Sequence, residues 1–246
     1  PGDSYSTYTI KDAIKTALGV EPVLFCQNGK LQEMGICVSK SLELMECPSS
    51  ETAKDTCSGT VSYPAVRSSS YSGDEGSYGG EEGSYGGEDR DESYWQSGSD
   101  SWDYLLLTQQ WSGSVCTISQ CPTNWTMHGL WPNSDGGEDP SYCSQTKFNK
   151  DLVESILPQL NTQWPSITGG GDGGSEGFWT HEYEKHGTCA ASDSLLDTEL
   201  KFFSAGLQLN TQTALLTSLS ANGVTPGDSY STDTIRNAIK TALDVE

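Results

Sequence analysis

The stretch FWTHEYEKHGTC, residues 178 to 189, carries two of the three histidines in the chain, His181 and His186, beside Glu182 and Lys185. Imidazoles exchange protons near neutral pH, and a cation beside them stabilises a developing anion. If residues 180–188 are helical, the four groups fall at i, i+1, i+4 and i+5, on one face. That face makes a poor core stripe, because buried charges are costly unless paired. A solvated helix with i,i+4 ion pairs is the plain alternative. A zinc-hydrolase helix needs His at i and i+4, whereas these are five apart, roughly 140° around an α-helix, so no metal site is expected. The third histidine, His128, lies in NWTMHGLWPN (124–133). There Gly129 and Pro132 mark a turn or strand end, and Trp125 and Trp131 offer flat faces on which bases could stack. A lone His among aromatics also has an ordinary structural reading.

The elements that must position these groups are legible in outline. DYLLLTQQW (103–111) has the apolar run of a buried strand. NKDLVESILPQL (149–160) and DSLLDTELKFFSAGLQL (193–209) have helical spacing. TGGGDGGSEG (168–177) reads as a loop ahead of the first motif. EPVLFCQNGKLQEMGICVSKSLELMEC (21–47) reads as short strands joined by an Asn28-Gly29 turn.

The chain has 246 residues and a formal charge of -21, from 34 acidic against 13 basic residues. Such a field repels nucleic acid at long range, yet salt screens beyond about 8–10 Å and leaves room for a local cationic pocket. No run of apolar residues is long enough to span a membrane. Pro1 stands where an initiator Met would, with no signal-type segment after it, so the chain reads as a processed form or an excerpt of something longer. Eight cysteines without any C-x-x-C pair argue for four disulfides in an oxidising compartment. The sequon Asn124-Trp125-Thr126 makes Asn124 a candidate glycosylation site and fits a secretory route.

Composition divides the chain into three. Residues 58–100 hold a Gly/Ser/Tyr stretch rich in acid that cannot bury a core and reads as a self-repelling flexible linker. Residues 1–57 precede it, and residues 101–246 follow. The ends repeat one another: 1–21 and 226–246 agree at 17 of 21 positions. Each reads as an amphipathic helix with apolar residues at i, i+4 and i+8, namely Ile10, Ile14 and Leu18 in the first copy. A period of 225 residues follows, out of phase with the domain.

HGLWPN (128–133) and FWTHEYEKHGTC (178–189) together resemble the two active-site segments of the ribonuclease T2 family, the acid and S-like ribonucleases. LLLTQQWSGSVC (105–116) is similar to the family's first strand. Residues 20–48 look like its C-terminal strands, although here they come first. The resemblance implies an α+β fold with a central antiparallel sheet flanked by helices and stapled by disulfides. It implies a secreted or vacuolar-lysosomal endoribonuclease that needs no metal or cofactor. Such an enzyme cleaves single-stranded RNA by transphosphorylation to a 2′,3′-cyclic phosphate. Carried over by motif position, His186 is the general base, His128 the general acid, Glu182 and Lys185 stabilise the phosphorane, and His181 holds the phosphate. Trp131 stacks on a base, Asn133 and Tyr142 line its pocket, and Gln109 or Gln110 contacts a second base. The family pattern also implies Cys143–Cys189, Cys26–Cys57 around Cys37–Cys47, and Cys116–Cys121.

The order of segments leaves two arrangements open. Either the chain is circularly permuted, with 1–57 folding onto its own 101–225, or each unit donates 1–57 to a neighbour in a tandem or filamentous array. One fold has one slot for the duplicated helix, which favours self-association. An extracellular structural or storage fibre built on the same fold is the competing function.

Overall fold

The computed structural model describes residues 4–7, 10–11, 20, 22–66, 101–169 and 174–227. The acidic stretch from 67 to 100 and the second repeat copy from 228 onward lie outside the described residues, as does most of the first copy.

Six strands build one sheet. They are β1 (Ser4–Ser6), β2 (Val23–Gln27), β3 (Lys30–Val38), β4 (Thr60–Ser62), β5 (Tyr104–Trp111) and β6 (Trp125–Asn133). Their order is β1-β4-β3-β5-β6, with β2 pairing β3 off that path. The main pairings, β2·β3, β3·β5 and β5·β6, are antiparallel. Asn28 and Gly29 both take positive φ, 53° and 72°. Two successive left-handed residues form the two-residue hairpin that matches strand twist, as Asn-Gly predicts.

Among the described residues, four α-helices of seven residues or more follow: α1 (Leu157–Gln163), entered from a 3₁₀ turn at Lys150–Ile156, α2 (Gly174–Glu182), α3 (Glu199–Thr213) and α4 (Leu215–Ala221). Thr198 caps α3 by accepting from Lys201 N. Their apolar sides bury one face of the sheet. Val38, Leu105, Leu107, Met127 and Leu130 pack there on Leu160, Trp164, Phe178, Trp179, Phe202 and Phe203. A second cluster joins Leu24, Leu31, Met34, Ile36 and Trp111 to Leu215, Leu219 and Ile10.

Residues ahead of the acidic stretch therefore pair with residues behind it inside one sheet. Glu33 lies opposite Gln110, and Val38 opposite Leu105. Part of the linker expected from residue 58 is instead folded. Thr60–Ser62 is a strand, and Val61 and Tyr63 are buried. The Trp125 indole donates to the Tyr63 hydroxyl at 2.9 Å. The segment VSYPAV is apolar enough to fold, and the shift to Gly, Ser and acid comes only after it. The disulfides are Cys26–Cys57, Cys37–Cys47, Cys116–Cys121 and Cys143–Cys189, the pairing the family pattern implies.

Candidate active site

His128 owes its direction to an irregularity in β6. Thr108 pairs Gly129 and Gln109 pairs Met127, so His128 is one residue too many for β5. A bulge of this kind reverses the alternation of side chains. Met127 and Leu130, three apart, consequently share the core, while His128 and Trp131 share the opposite side. The backbone is clamped from behind. Trp164 Nε1 donates to the His128 carbonyl at 2.8 Å, and Trp179 Nε1 donates to the Trp164 carbonyl at 2.7 Å.

The second motif is helical but not uniformly α-helical. After α2, Tyr183–Gly187 forms a π-helical turn before helical geometry resumes at Thr188–Ala190. In a π turn, residues five apart occupy successive turns. His181, on α2, acts electrostatically on His186 across this turn. Cys189 fastens the end of the motif to Cys143, and Tyr142 N donates to the Lys185 carbonyl at 2.8 Å.

The two motifs meet at Trp131. Its ring stacks on His186 with centroids 5.3 Å apart and meets His128 edge-on at 5.0 Å. Its Nε1 donates to Glu182 Oε2 at 2.9 Å. Gly129 makes this approach possible, since a Cβ there would collide with Trp131 Nε1 and Glu182 Oε2. Burial pushes the Glu182 carboxyl up to about 6, against the pull of His128, the Trp131 hydrogen bond and Lys185. Burial likewise holds His186 well below 6.5, reinforced by the positive fields of Lys185, His181 and His128. One imidazole is therefore kept neutral in mildly acidic water, inside a site that favours negative charge on a visitor over further positive charge. Among the described residues, no three His, Cys, Asp or Glu side chains converge as a metal-binding group.

A pair of histidines, a buried carboxyl and a lysine thus gather around one tryptophan. A profile of the Ribonuclease T2 family matches residues 102–246, more than half of the chain. The chain belongs to the ribonuclease T2 family. It is similar to ribonuclease DdI of Dictyostelium discoideum, 37% identical over 155 residues covering 60% of this chain and 67% of that protein. It is similar also to the extracellular ribonuclease LE of Solanum lycopersicum, 35% identical over 158 residues with the same coverage. The crystal structure of human RNase T2 superposes on 57% of this chain and 72% of its own, at 30% identity and a TM-score of 0.47. As a member of the ribonuclease T2 family, the chain is an endoribonuclease.

The remaining residues named from the family's motifs are distributed unevenly about this site. Trp131 is not a bare stacking platform, because His186 covers part of it. With Phe25, Pro132 and Asn133 it lines a cavity of about 340 Å³ that reaches Lys185 and His186. Asn133 Nδ2 donates to Glu51 Oε2 at 3.0 Å on the floor of that cavity. Tyr142 is buried, adopts φ 52° and meets His181 edge-on at 6.5 Å. Gln110 lies on the His128 side of the sheet, where it donates to the Met127 carbonyl at 3.2 Å. Gln109 is not brought to the site. It faces the helices, where its amide meets Asn210 at 2.5 Å and Thr213 at 3.0 Å, because alternation along β5 sends neighbours to opposite faces.

Reading the motifs missed Glu33, Glu51 and Lys54, which all come from the segment ahead of the linker. Glu33 Oε1 lies 2.7 Å from His128 Nδ1. Glu51 is fully buried and receives Tyr104 Oη at 2.7 Å and Lys54 Nζ at 2.9 Å. The available signal was alternation: Met34, Ile36 and Val38 share the core face of β3, which sends Glu33, Gly35 and Cys37 to the opposite face, where His128 lies.

Proposed function

We propose that the chain cleaves single-stranded RNA by in-line transphosphorylation. His186 Nε2 takes the ribose 2′-hydroxyl proton as that oxygen attacks phosphorus. The bond from phosphorus to the 5′-oxygen breaks, and His128 gives that oxygen a proton. A 2′,3′-cyclic phosphate remains. Lys185 and Glu182 face the crowded phosphorane, and His181 holds a phosphate oxygen. Below about pH 6 the Glu182 carboxyl carries its proton and can donate to that oxygen. The observation that carries this reading is the convergence of His128 and His186 on the Trp131 ring, with Glu182 bonded to its indole N–H.

The base 5′ to the scissile phosphate occupies the cavity beside Phe25, Trp131 and Asn133. Incubating the protein with RNA at about pH 5 in EDTA tests the scheme. Cyclic-phosphate ends should appear, rate against pH should be bell-shaped on the acid side of neutrality, and His186→Ala and His128→Ala should each lose at least about a thousandfold. Absence of cleavage by the unmutated protein, or a flat profile from pH 4 to 9, would overturn it.

The chain travels a secretory route in this reading, supported by four disulfides and by its similarity to the extracellular ribonuclease LE of tomato. Asn124 is exposed at its sequon and takes a glycan. The permuted order is supported by β3 and β5 pairing across the acidic stretch. Ile10, from the first repeat copy, is buried against Leu215 and Leu219, and the second copy is then left to dock on a neighbour, giving a tandem or polymeric enzyme. Sedimentation of native material distinguishes this from a monomer of 26.5 kDa. A purely structural fibre has no use for the convergent site.

A further inference from the structure

Of the two imidazoles that converge on Trp131, only one has a carboxylate at its Nδ1. His186 Nδ1 is buried without a hydrogen-bond partner. His128 Nδ1 stands 2.7 Å from Glu33 Oε1, with 26% and 21% of the two side chains exposed. We propose that Glu33 is the positioning residue of the general acid, accepting the Nδ1 proton of His128 and so placing the transferable proton on Nε2. The inference rests on the ribonuclease reading above, and it adds a group that neither active-site motif contains.

Three features of the fold support the assignment. First, Glu33 is rigidly held. It sits mid-strand in β3, paired to Phe25 of β2 on one side and Gln110 of β5 on the other. Second, His128 is held against it. The β6 bulge turns the ring to this side of the sheet, and the Trp164 indole fixes the carbonyl of the same residue. Third, the surroundings divide the labour. A carboxylate beside an imidazole favours the imidazolium, which an acid must be, whereas His186 has desolvation and neighbouring cations that favour the neutral ring a base must be.

The charged and titratable groups that face His128 are Glu33 from β3, Glu182 from α2 and His186 from the π turn, with Lys185 beside the last two. Among the described residues, Glu33 makes a hydrogen bond to the ring at Nδ1. An imidazole in water prefers its proton on Nε2, and a carboxylate at Nδ1 reverses that preference. Once Nε2 has given its proton to the 5′-oxygen, the neutral ring retains Nδ1–H on Glu33. Proton count is conserved, since Glu33 accepts a hydrogen bond throughout and takes no proton. The group comes from residues ahead of the acidic stretch, so the acid is oriented by the part of the chain that lies outside the family match.

Two measurements test this. Nitrogen-15 spectra of histidine-labelled, unmutated protein at a pH above the His128 titration should show the Nδ1–H tautomer; a predominant Nε2–H form overturns the proposal, and this needs no variant to fold. In kinetics, Glu33→Gln keeps a hydrogen-bond acceptor and removes the charge. Its alkaline limb should move about one pH unit lower. Glu33→Ala should move as far and also lose about tenfold or more in kcat, with KM little changed, and Glu33→Asp should recover part of both. If both neutral variants keep the alkaline limb of the unmutated protein, Glu33 has no part in setting the acid. Failure of the wider reading looks different. The unmutated protein would then not cleave RNA at all, while the tautomer would still report on the Glu33 contact.

Discussion

Glu182 shows how one side chain can carry a site's pH dependence. It is 1% exposed, hydrogen-bonded to Trp131, and pushed up from 4.5 to about 6 chiefly by burial. A carboxyl raised on folding weakens the fold when it ionises. Below about pH 4 it is protonated in both states and costs nothing. As pH climbs past 6 the folded state must ionise a buried group, at a cost on the order of 2 kcal/mol. Glu182→Gln preserves the acceptor for Trp131 and removes the titration. Urea unfolding should therefore show the variant gaining about 2 kcal/mol on the unmutated protein between pH 4 and 7. A constant difference across that range would mean that the carboxyl is better solvated than its surroundings imply. The identities of His128, His181, Glu182, Lys185 and His186 were all legible as letters. Glu33 was not, because its importance comes from a pairing register, and no motif records register.

At the scale of elements, two departures from regular geometry build the site. The bulge at His128 reverses the parity of β6, and the π turn at Tyr183–Gly187 carries Lys185 and His186. Neither could be read from the sequence, since period-2 and period-3.6 patterns assume regular elements. The strand at 104–111 was legible from its apolar run, the hairpin from its Asn28-Gly29 turn, and α3 from its helical spacing. Gln109 and Gln110 illustrate the limit: the family resemblance made both candidates, and only alternation along β5 sent Gln109 to the helices. The bulge and α2 touch at Gly129, where no side chain fits between Trp131 and Glu182. Its φ is not positive, so Gly129→Ala acts through contact alone. It should destabilise by about 1–3 kcal/mol and cut kcat/KM about a hundredfold by displacing Glu182, measured by thermal melts and RNA cleavage. Retained activity with a lowered Tm would separate strand packing from catalysis.

At the scale of the whole molecule, charge opposes function. The enzyme carries -21, and residues 67 to 100 alone hold nine acidic against two basic side chains. Its substrate is a polyanion. Nucleases that collect RNA with a basic surface lose affinity as salt rises, because phosphate contacts release counterions. Here the long-range field has the opposite sign and slows encounter when it is unscreened. The Debye length shrinks from about 30 Å at 10 mM to about 8 Å at 150 mM salt, which removes repulsion from distant carboxylates first. In the proposed scheme the contacts of a phosphate with Lys185 and His181 are shorter than either length and survive until salt is higher. The rate constant kcat/KM for RNA should therefore rise between about 10 and 150 mM NaCl and fall only beyond. Replacing the acidic side chains of 67–100 with serine should flatten the rise without altering the pH profile. A steady fall from the lowest salt, in both proteins, would mean that local cations outweigh the net charge even at long range.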